Sequence, residues 1–279
     1  MEYATILVHL DASRRTHQRL HIAVRLAQDF HATLIGLFAM GHADPSSIRY
    51  LVDGDRYLDS YREWHKHIGE VARHAFFGAT DELLIPTEWH APEGAAADSV
   101  VAQAHTADLL VLGQHNPADK DAFAGHHFVE SVVLQCGRPV LVVPYAGVFP
   151  HPGRNILVAW NGSREAARAI HDALPFLRRA QTVDVVAWNQ LDMALNPWLS
   201  PPRYAIEWLA RHQVQATLHD LTAADGDDIG QMLLSFAADQ GSDLIVTGAY
   251  GHGRMRELVL GGVTRTLLES MTVPVLLSH

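Results

Sequence analysis

Short runs of consecutive apolar residues alternate along the chain with longer stretches in which apolar positions recur every three or four residues. Thr5-Ile-Leu-Val-His-Leu10, Thr33 to Ala39, Pro86 to His90, Ala107-Asp-Leu-Leu-Val-Leu-Gly113 and Arg138-Pro-Val-Leu-Val-Val143 have the length and β-branched content of buried strands. Between the first two, Leu20, Ala23, Val24, Ala27 and Phe30 are spaced to line one face of a helix. Arg49 to Phe77, long, polar and aromatic, predicts a second helix, and Ala95 to His105 a third.

The series then begins again. Asn155-Ile-Leu-Val-Ala-Trp160, Thr182 to Trp188, Gln215 to Asp220, Ser242-Asp-Leu-Ile-Val-Thr-Gly248 and Val273-Pro-Val-Leu-Leu-Ser278 repeat the strand pattern. Helical patterns follow Ser163, a candidate N-cap, and cover Arg203 to His212, Asp227 to Gln240 and Val263 to Ser270. Self-similarity at this period is that of a duplicated domain, since solenoid repeats are far shorter. Alternating strands and helices with apolar, β-branched strands predict an α/β protein of two tandem five-stranded parallel sheets, each with helices on both faces. The expected domains are 1–146 and 155–279, joined by a linker at 147–154 inside a stretch rich in proline and glycine. Ligands of such sheets bind at the carboxyl ends of the strands, where the strand order reverses.

Composition narrows the function classes. The 279 residues are 48% hydrophobic and 19% charged, enough for full cores and too apolar for disorder. A net charge of −10 disfavours nucleic acid as a partner. Cys136, the single cysteine, excludes an internal disulfide and suits a reducing compartment; its default role is a small packed side chain. No apolar run reaches the ~18 residues of a membrane span, and Met1 leads almost directly into the first strand, so a soluble cytoplasmic protein is expected. The 19 histidines are scattered, and His65-Lys-His67 lacks a third ligand at zinc-like spacing.

The chemistry concentrates at one strand–loop–helix junction. Gly248-Ala-Tyr-Gly251 closes a strand, and Gly261-Gly262-Val263-Thr264 opens a helix. Glycines let the backbone turn and let a ligand approach main-chain N–H groups. The helix start adds unpaired N–H groups and the positive end of a dipole, a combination suited to an anion such as phosphate. The junction lacks the lysine of a P-loop, and Gly251-His-Gly253 runs into Arg254-Met-Arg256, which breaks G-x-G-x-x-G. The spacing instead resembles the G-x2-G-x9-G-[ST] signature of the universal stress protein family. With Trp160-Asn-Gly-Ser163-Arg-Glu-Ala-Ala-Arg168 and Gly261-Gly-Val-Thr-Arg-Thr266, the duplicated chain looks like a bacterial tandem subgroup of that family.

The resemblance implies ATP or another adenine nucleotide, with Mg2+ as its accompanying ion. It places the ribose and phosphates at Gly248, Gly251, Gly261, Gly262, Val263 and Thr264. Gly262 stands where the family has Ser or Thr, with Thr264 two residues later. Asn161, followed by Gly162, holds the place of the family's Asp near ribose and base. The adenine edge is expected near the backbone of Trp188, whose indole either stacks on a base or fills the pocket. His252, Gly253, Arg254 and Arg256 lie in the spacer, where cations either neutralise phosphate or form a solvated loop. The family also suggests antiparallel pairing of Val140–Val143 with Val275–Ser278, a pseudo-dimer within the chain, and by analogy a homodimer.

In the first copy the signature is eroded. Gly113 remains, Asn116 replaces the second glycine, and His126-His127 replace the later pair. That copy is read as degenerate, its turn kept by an αL Asn116, or as a site where the histidines bind something of their own. Trp198 and Trp208 are expected to pack. Three functions follow: a stress-response sensor binding nucleotide chiefly in the C-terminal half; a ligand-free interaction scaffold; or an enzyme of the wider nucleotide-handling superfamily. Slow ATP hydrolysis is the most activity expected, because no general base or nucleophile motif is present.

Overall fold

In a computed structural model, residues 2–40, 54–119, 127–189, 198–224, 226–250 and 261–279 are described. They form two compact units: Ala4–Cys136, and Gly137–His279 together with the residues up to Tyr3. In the first unit β1 (Thr5–Leu10), α1 (Thr16–Phe30), β2 (Thr33–Phe38), α2 (Gly54–Thr80), β3 (Thr87–His90), α3 (Ala96–Ala104), β4 (Leu109–Gly113) and α4 (Phe128–Gln135) follow one another. The strands lie in the order β3-β2-β1-β4, all parallel, with Leu7 beside Ile35 on one flank and Leu110 on the other. The order turns back between β1 and β4, so the ends of those two strands frame the crevice.

The strands are buried on both faces because helices cover both, which is why they read as continuous apolar runs rather than alternating ones. Helix α1 buries Leu20, Ala23, Ala27 and Phe30 and ends in His31 at φ 54, an αL cap. Helix α2 runs three residues past its expected end at Phe77; the expected start, Arg49, lies outside the described residues. Gly36 admits this helix to the sheet: a Cβ there would fall 2.7 Å from Phe76 and 2.9 Å from Trp89.

The second unit contains β5 (Val140–Val143), β6 (Asn155–Ala159), α5 (Arg164–Asp172), α6 (Leu174–Leu177), β7 (Thr182–Asn189), α7 (Pro202–Arg211), β8 (Thr217–Thr222), α8 (Ile229–Asp239), β9 (Leu244–Gly248), α9 (Gly262–Ser270) and β10 (Val275–Ser278). Five strands are parallel in the order β10-β9-β6-β7-β8. The sixth, β5, runs antiparallel on β10 with Leu141 opposite Leu276, as the resemblance implied. Thus β5 is written at the end of the first copy yet belongs to the second compact unit. Strand β8 starts two residues later than expected; its partly exposed, alternating burial gives a weaker pattern than that of its buried neighbours.

Duplicated sequence produces duplicated geometry at the opposite ends of the strands. Asp108, just before β4, accepts from the N–H groups of Ala4 and Thr5 at 2.9 and 3.0 Å. Asp243, just before β9, accepts from Gly153, Arg154 and Asn155 at 2.8, 3.2 and 3.1 Å. Each carboxylate fastens the start of a fourth strand to the start of a first, so the same two strands are aligned at their far ends.

A fragment of residues 137–279 is expected to unfold cooperatively. One of 153–279, which leaves the hydrogen-bonding edge of β10 bare, is expected to self-associate or unfold at lower urea. Gel filtration and urea titration of the two fragments check this.

Candidate functional site

In the second unit the crevice is framed by the end of β9, the start of α9 and the turn after β6. Gly248, the last residue of β9, lies against the first turn of α5: a Cβ there would fall 2.5 Å from the carbonyl carbon of Glu165 and 2.6 Å from the nitrogen of Ala166. Close helix packing therefore requires this glycine whether or not a ligand binds. Beyond it, the N–H of Ala249 donates to Ser278 at 2.8 Å. Tyr250 takes the αL conformation at φ 63, and its N–H donates to Thr264 Oγ1 at 3.4 Å. This clasp brings the end of β9 to the start of α9.

There few atoms of the described residues approach. Gly261 precedes α9 without a side-chain cap, and a Cβ on it would come only as near as 3.8 Å to the Tyr250 Cα. At Gly262 a Cβ would meet no atom of the described residues within 4 Å. The first-turn N–H groups from Gly262 through Val263 to Thr264 are those that a helix leaves without internal acceptors. Thr264 is buried and its hydroxyl serves the clasp, so what the described residues expose at this start is main chain. Gly251, His252, Gly253, Arg254 and Arg256 lie outside the described residues.

The turn after β6 is internally bonded. Asn161 Oδ1 accepts from the Ser163 N–H at 3.1 Å and its hydroxyl at 2.7 Å. Ser163 caps α5 as expected, accepting from Ala166 N–H at 3.2 Å. Gly162 has φ 76, and a Cβ there would sit 2.7 Å from Ser200 O. The Ser200 N–H donates to Gly162 O at 2.9 Å, while the Trp160 indole N–H donates to Ser200 O at 2.9 Å. The segment before α7 is thereby strapped onto the turn. Trp198 on that strap is 88% exposed and is not the packing residue expected from sequence.

Trp188 is buried, with its ring edge-on to Phe236 of α8 at 6.5 Å. Its indole N–H has no acceptor among the described residues. Beside Gly248, burial works against the charge of Glu165, yet bonding from Arg164 holds its carboxyl below the usual range. It stays ionised at neutral pH, with its counter-charge exposed on Arg164. Among the described residues no group of three or more His, Cys, Asp or Glu is placed to hold a metal ion.

The model of the universal stress protein family matches residues 2–144 and again 153–279. The chain belongs to the universal stress protein family. No curated protein matches it at significance. Among solved structures it is similar to a universal stress protein from Archaeoglobus fulgidus, 16% identical over 99% of this chain and 98% of that one, with a TM-score of 0.71. It is also similar to a functionally unknown protein of Pseudomonas aeruginosa, 15% identical over 99% of this chain and 92% of that one, with a TM-score of 0.60. At such identities these structures show the fold, and this tandem universal stress protein shares it from end to end. No helix of its described residues is long and apolar enough to cross a membrane.

The same crevice in the first copy of this universal stress protein is closed by its own side chains. Asp11, the counterpart of Asn161, pairs with Arg19 at 2.7 Å, both side chains being 4% exposed. Burial opposes the charge of Asp11, but Arg19, with help from His9, Ser13 and Thr16, holds the carboxyl well below the usual carboxylate range. His9 lies against Phe128 with ring centroids 4.8 Å apart, and its Nε2 is 2.7 Å from the Ala39 carbonyl. The loop after β4 is tied across the opening, because Asp119 Oδ2 accepts from the Arg14 N–H at 2.9 Å. Asn116 keeps the turn through its side chain, which accepts from Ala118 N–H at 3.0 Å, and not through the αL backbone expected of it. His126 lies outside the described residues, while His127 is exposed and 3.7 Å from Glu130.

Sequence reading missed His9 and Arg19. The available signal was the position of Arg19 on the apolar face of α1, three residues from Thr16 and four from Ala23. In the second copy Ala169 fills that place.

Burial draws the His9 pKa down from 6.5 to about 4, with Arg19 adding to the shift and Asp11 and the Ala39 carbonyl opposing it. Because the folded value lies below the unfolded one, His9 contributes stability that is complete above pH 6.5 and is lost as the pH falls toward 4. At about 1.4 kcal/mol per unit, the loss is on the order of 3 kcal/mol. His9→Gln, which keeps an N–H for the Ala39 carbonyl, is expected to shrink that fall, as read from urea midpoints across the interval.

Proposed function

We propose that this tandem universal stress protein binds an adenine nucleotide, ATP or a relative of it, in its C-terminal half, and uses the bound state as a signal in a stress response. The observation that carries the reading is the bare start of α9. A helix start with glycine at its first two positions, no atom of the described residues within 4 Å of a Cβ at Gly262, and a clasp to a glycine-ended strand is suited to an anion held by main-chain amides. The glycine spacing of Gly248, Gly251 and Gly261 supplies the same suggestion from sequence. Among the described residues the first copy offers no comparable surface, since its crevice holds a buried ion pair.

One observation favours the second reading, an interaction scaffold without nucleotide. The strap from Ser200 covers Gly162 at the turn where adenosine is expected, and Asn161 is engaged with Ser163. Under the nucleotide reading the base lies beside this strap and the phosphates account for most of the affinity.

Gly262 permits a clean test because a side chain there meets nothing in the described fold. Gly262→Val is expected to leave the melting temperature within about 2 °C, consistent with a surface substitution, and to weaken labelled-ATP binding at least tenfold. Equal binding by the variant and the wild type would remove the α9 start from the site. Native mass spectra of the wild type carrying no nucleotide after ATP addition would favour the scaffold.

A further inference from the structure

We propose that the N-terminal unit contains a guanidinium site built on Asp11, that the chain fills this site with its own Arg19, and that this internal occupant closes the first copy to nucleotide. The site itself is independent of the reading above; only the word nucleotide rests on it.

Three observations place it. First, Asp11 Oδ1 gathers donors as a ligand site does. Arg19 Nη2 approaches at 2.7 Å, the hydroxyls of Ser13 and Thr16 at 2.6 Å each, and the Ser13 N–H at 3.1 Å. Thr16 Oγ1 also lies 3.1 Å from Arg19 Nη2, so carboxylate and hydroxyl grip one end of the guanidinium together. Second, the strand beneath is shaped to receive the group. A Cβ on Gly113 would overlap Arg19 Nη1, so the residue that closes β4 leaves the space the guanidinium takes. Third, the Arg19 Nε–H is buried without an acceptor among the described residues. The group is held through its terminal nitrogens, which are the part a free methylguanidinium ion shares, and the stem adds little to the recognition.

The second copy supports the assignment by lacking both halves of the pair together. Asn161 replaces Asp11 and Ala169 replaces Arg19, and the closing glycine, Gly248, packs on the backbone of α5 instead of on a side chain. A carboxylate kept without its cation would be a buried unpaired charge, and the neutral replacement of both avoids that cost. One copy therefore satisfies the crevice from within, and the other leaves its polar surface to the α9 start.

The experiment is chemical rescue in the full-length chain. Arg19→Ala is expected to melt at a lower temperature than the wild type. Methylguanidinium chloride, kept below denaturing concentration, should raise that melting temperature by a few degrees over matched sodium chloride, while lowering that of the wild type. Asp11→Asn/Arg19→Ala, which lacks the carboxylate, should show no rescue. Should Arg19→Ala fail to fold, Arg19→Gln serves in its place. Methylguanidinium lowering the melting temperature of the single variant as it lowers the wild type's would overturn the site. Labelled ATP binding the wild type at two per chain would overturn the closure. Zero ATP per chain with rescue intact would sink the nucleotide reading alone and leave the guanidinium site standing.

Discussion

A parallel strand that stops at the foot of a crevice has to end without a side chain if a helix, a guanidinium or a ligand is to lie against it. Both copies obey this constraint at the same place. The glycine ending β4 lies under Arg19 and the glycine ending β9 lies under the first turn of α5. The glycine that resembles a nucleotide-loop residue is thus required by the fold before any ligand is considered. What distinguishes a ligand-ready copy is what surrounds it, and above all whether the next helix begins bare or the crevice is already filled.

The two units resolve that choice with different physics. In the first, a carboxylate and a guanidinium are taken out of water and must be repaid by mutual attraction and by hydrogen bonds from Ser13 and Thr16. His9 stays neutral beside them because a second buried cation would add to the desolvation cost already met by the pair. In the second, the corresponding turn is neutral, and its polar groups are satisfied locally by Asn161, Ser163 and the Ser200 strap. The two copies share the sheet and the aspartate fastenings at its far end, while their crevice ends differ, charged and filled in the first and neutral in the second.

Much of this was legible in the sequence because it is local. Apolar runs gave the strands, Ser163 gave the start of α5, and the paired Asp108 and Asp243 lie in the repeated words that revealed the duplication. The antiparallel seam of β5 and β10 followed from resemblance, since neither run carries a mark of its direction. Contacts between distant segments were not legible. Ser200 reaches Gly162 and Trp160 across the length of β7 and the residues after it, and no periodicity announces such a strap. Arg19 was visible only as a charge on an apolar face, and helices carry such residues on their margins as well as in their cores. The exposed Trp198 shows the opposite error, because size and apolarity alone do not bury a residue in a loop.

The departure at Gly262 fits this picture better than it first suggests. A serine or threonine there would add one hydroxyl donor to an anion, but the neighbouring hydroxyl, on Thr264, is already committed to holding Tyr250. The α9 start therefore has main-chain amides and a helix dipole to offer, and each is worth less to an exposed anion than a charge-assisted side-chain bond. Glu165, ionised behind Gly248, further disfavours dense negative charge on that side of the strand end. Affinity at such a surface should depend strongly on how many contacts the rest of the ligand makes.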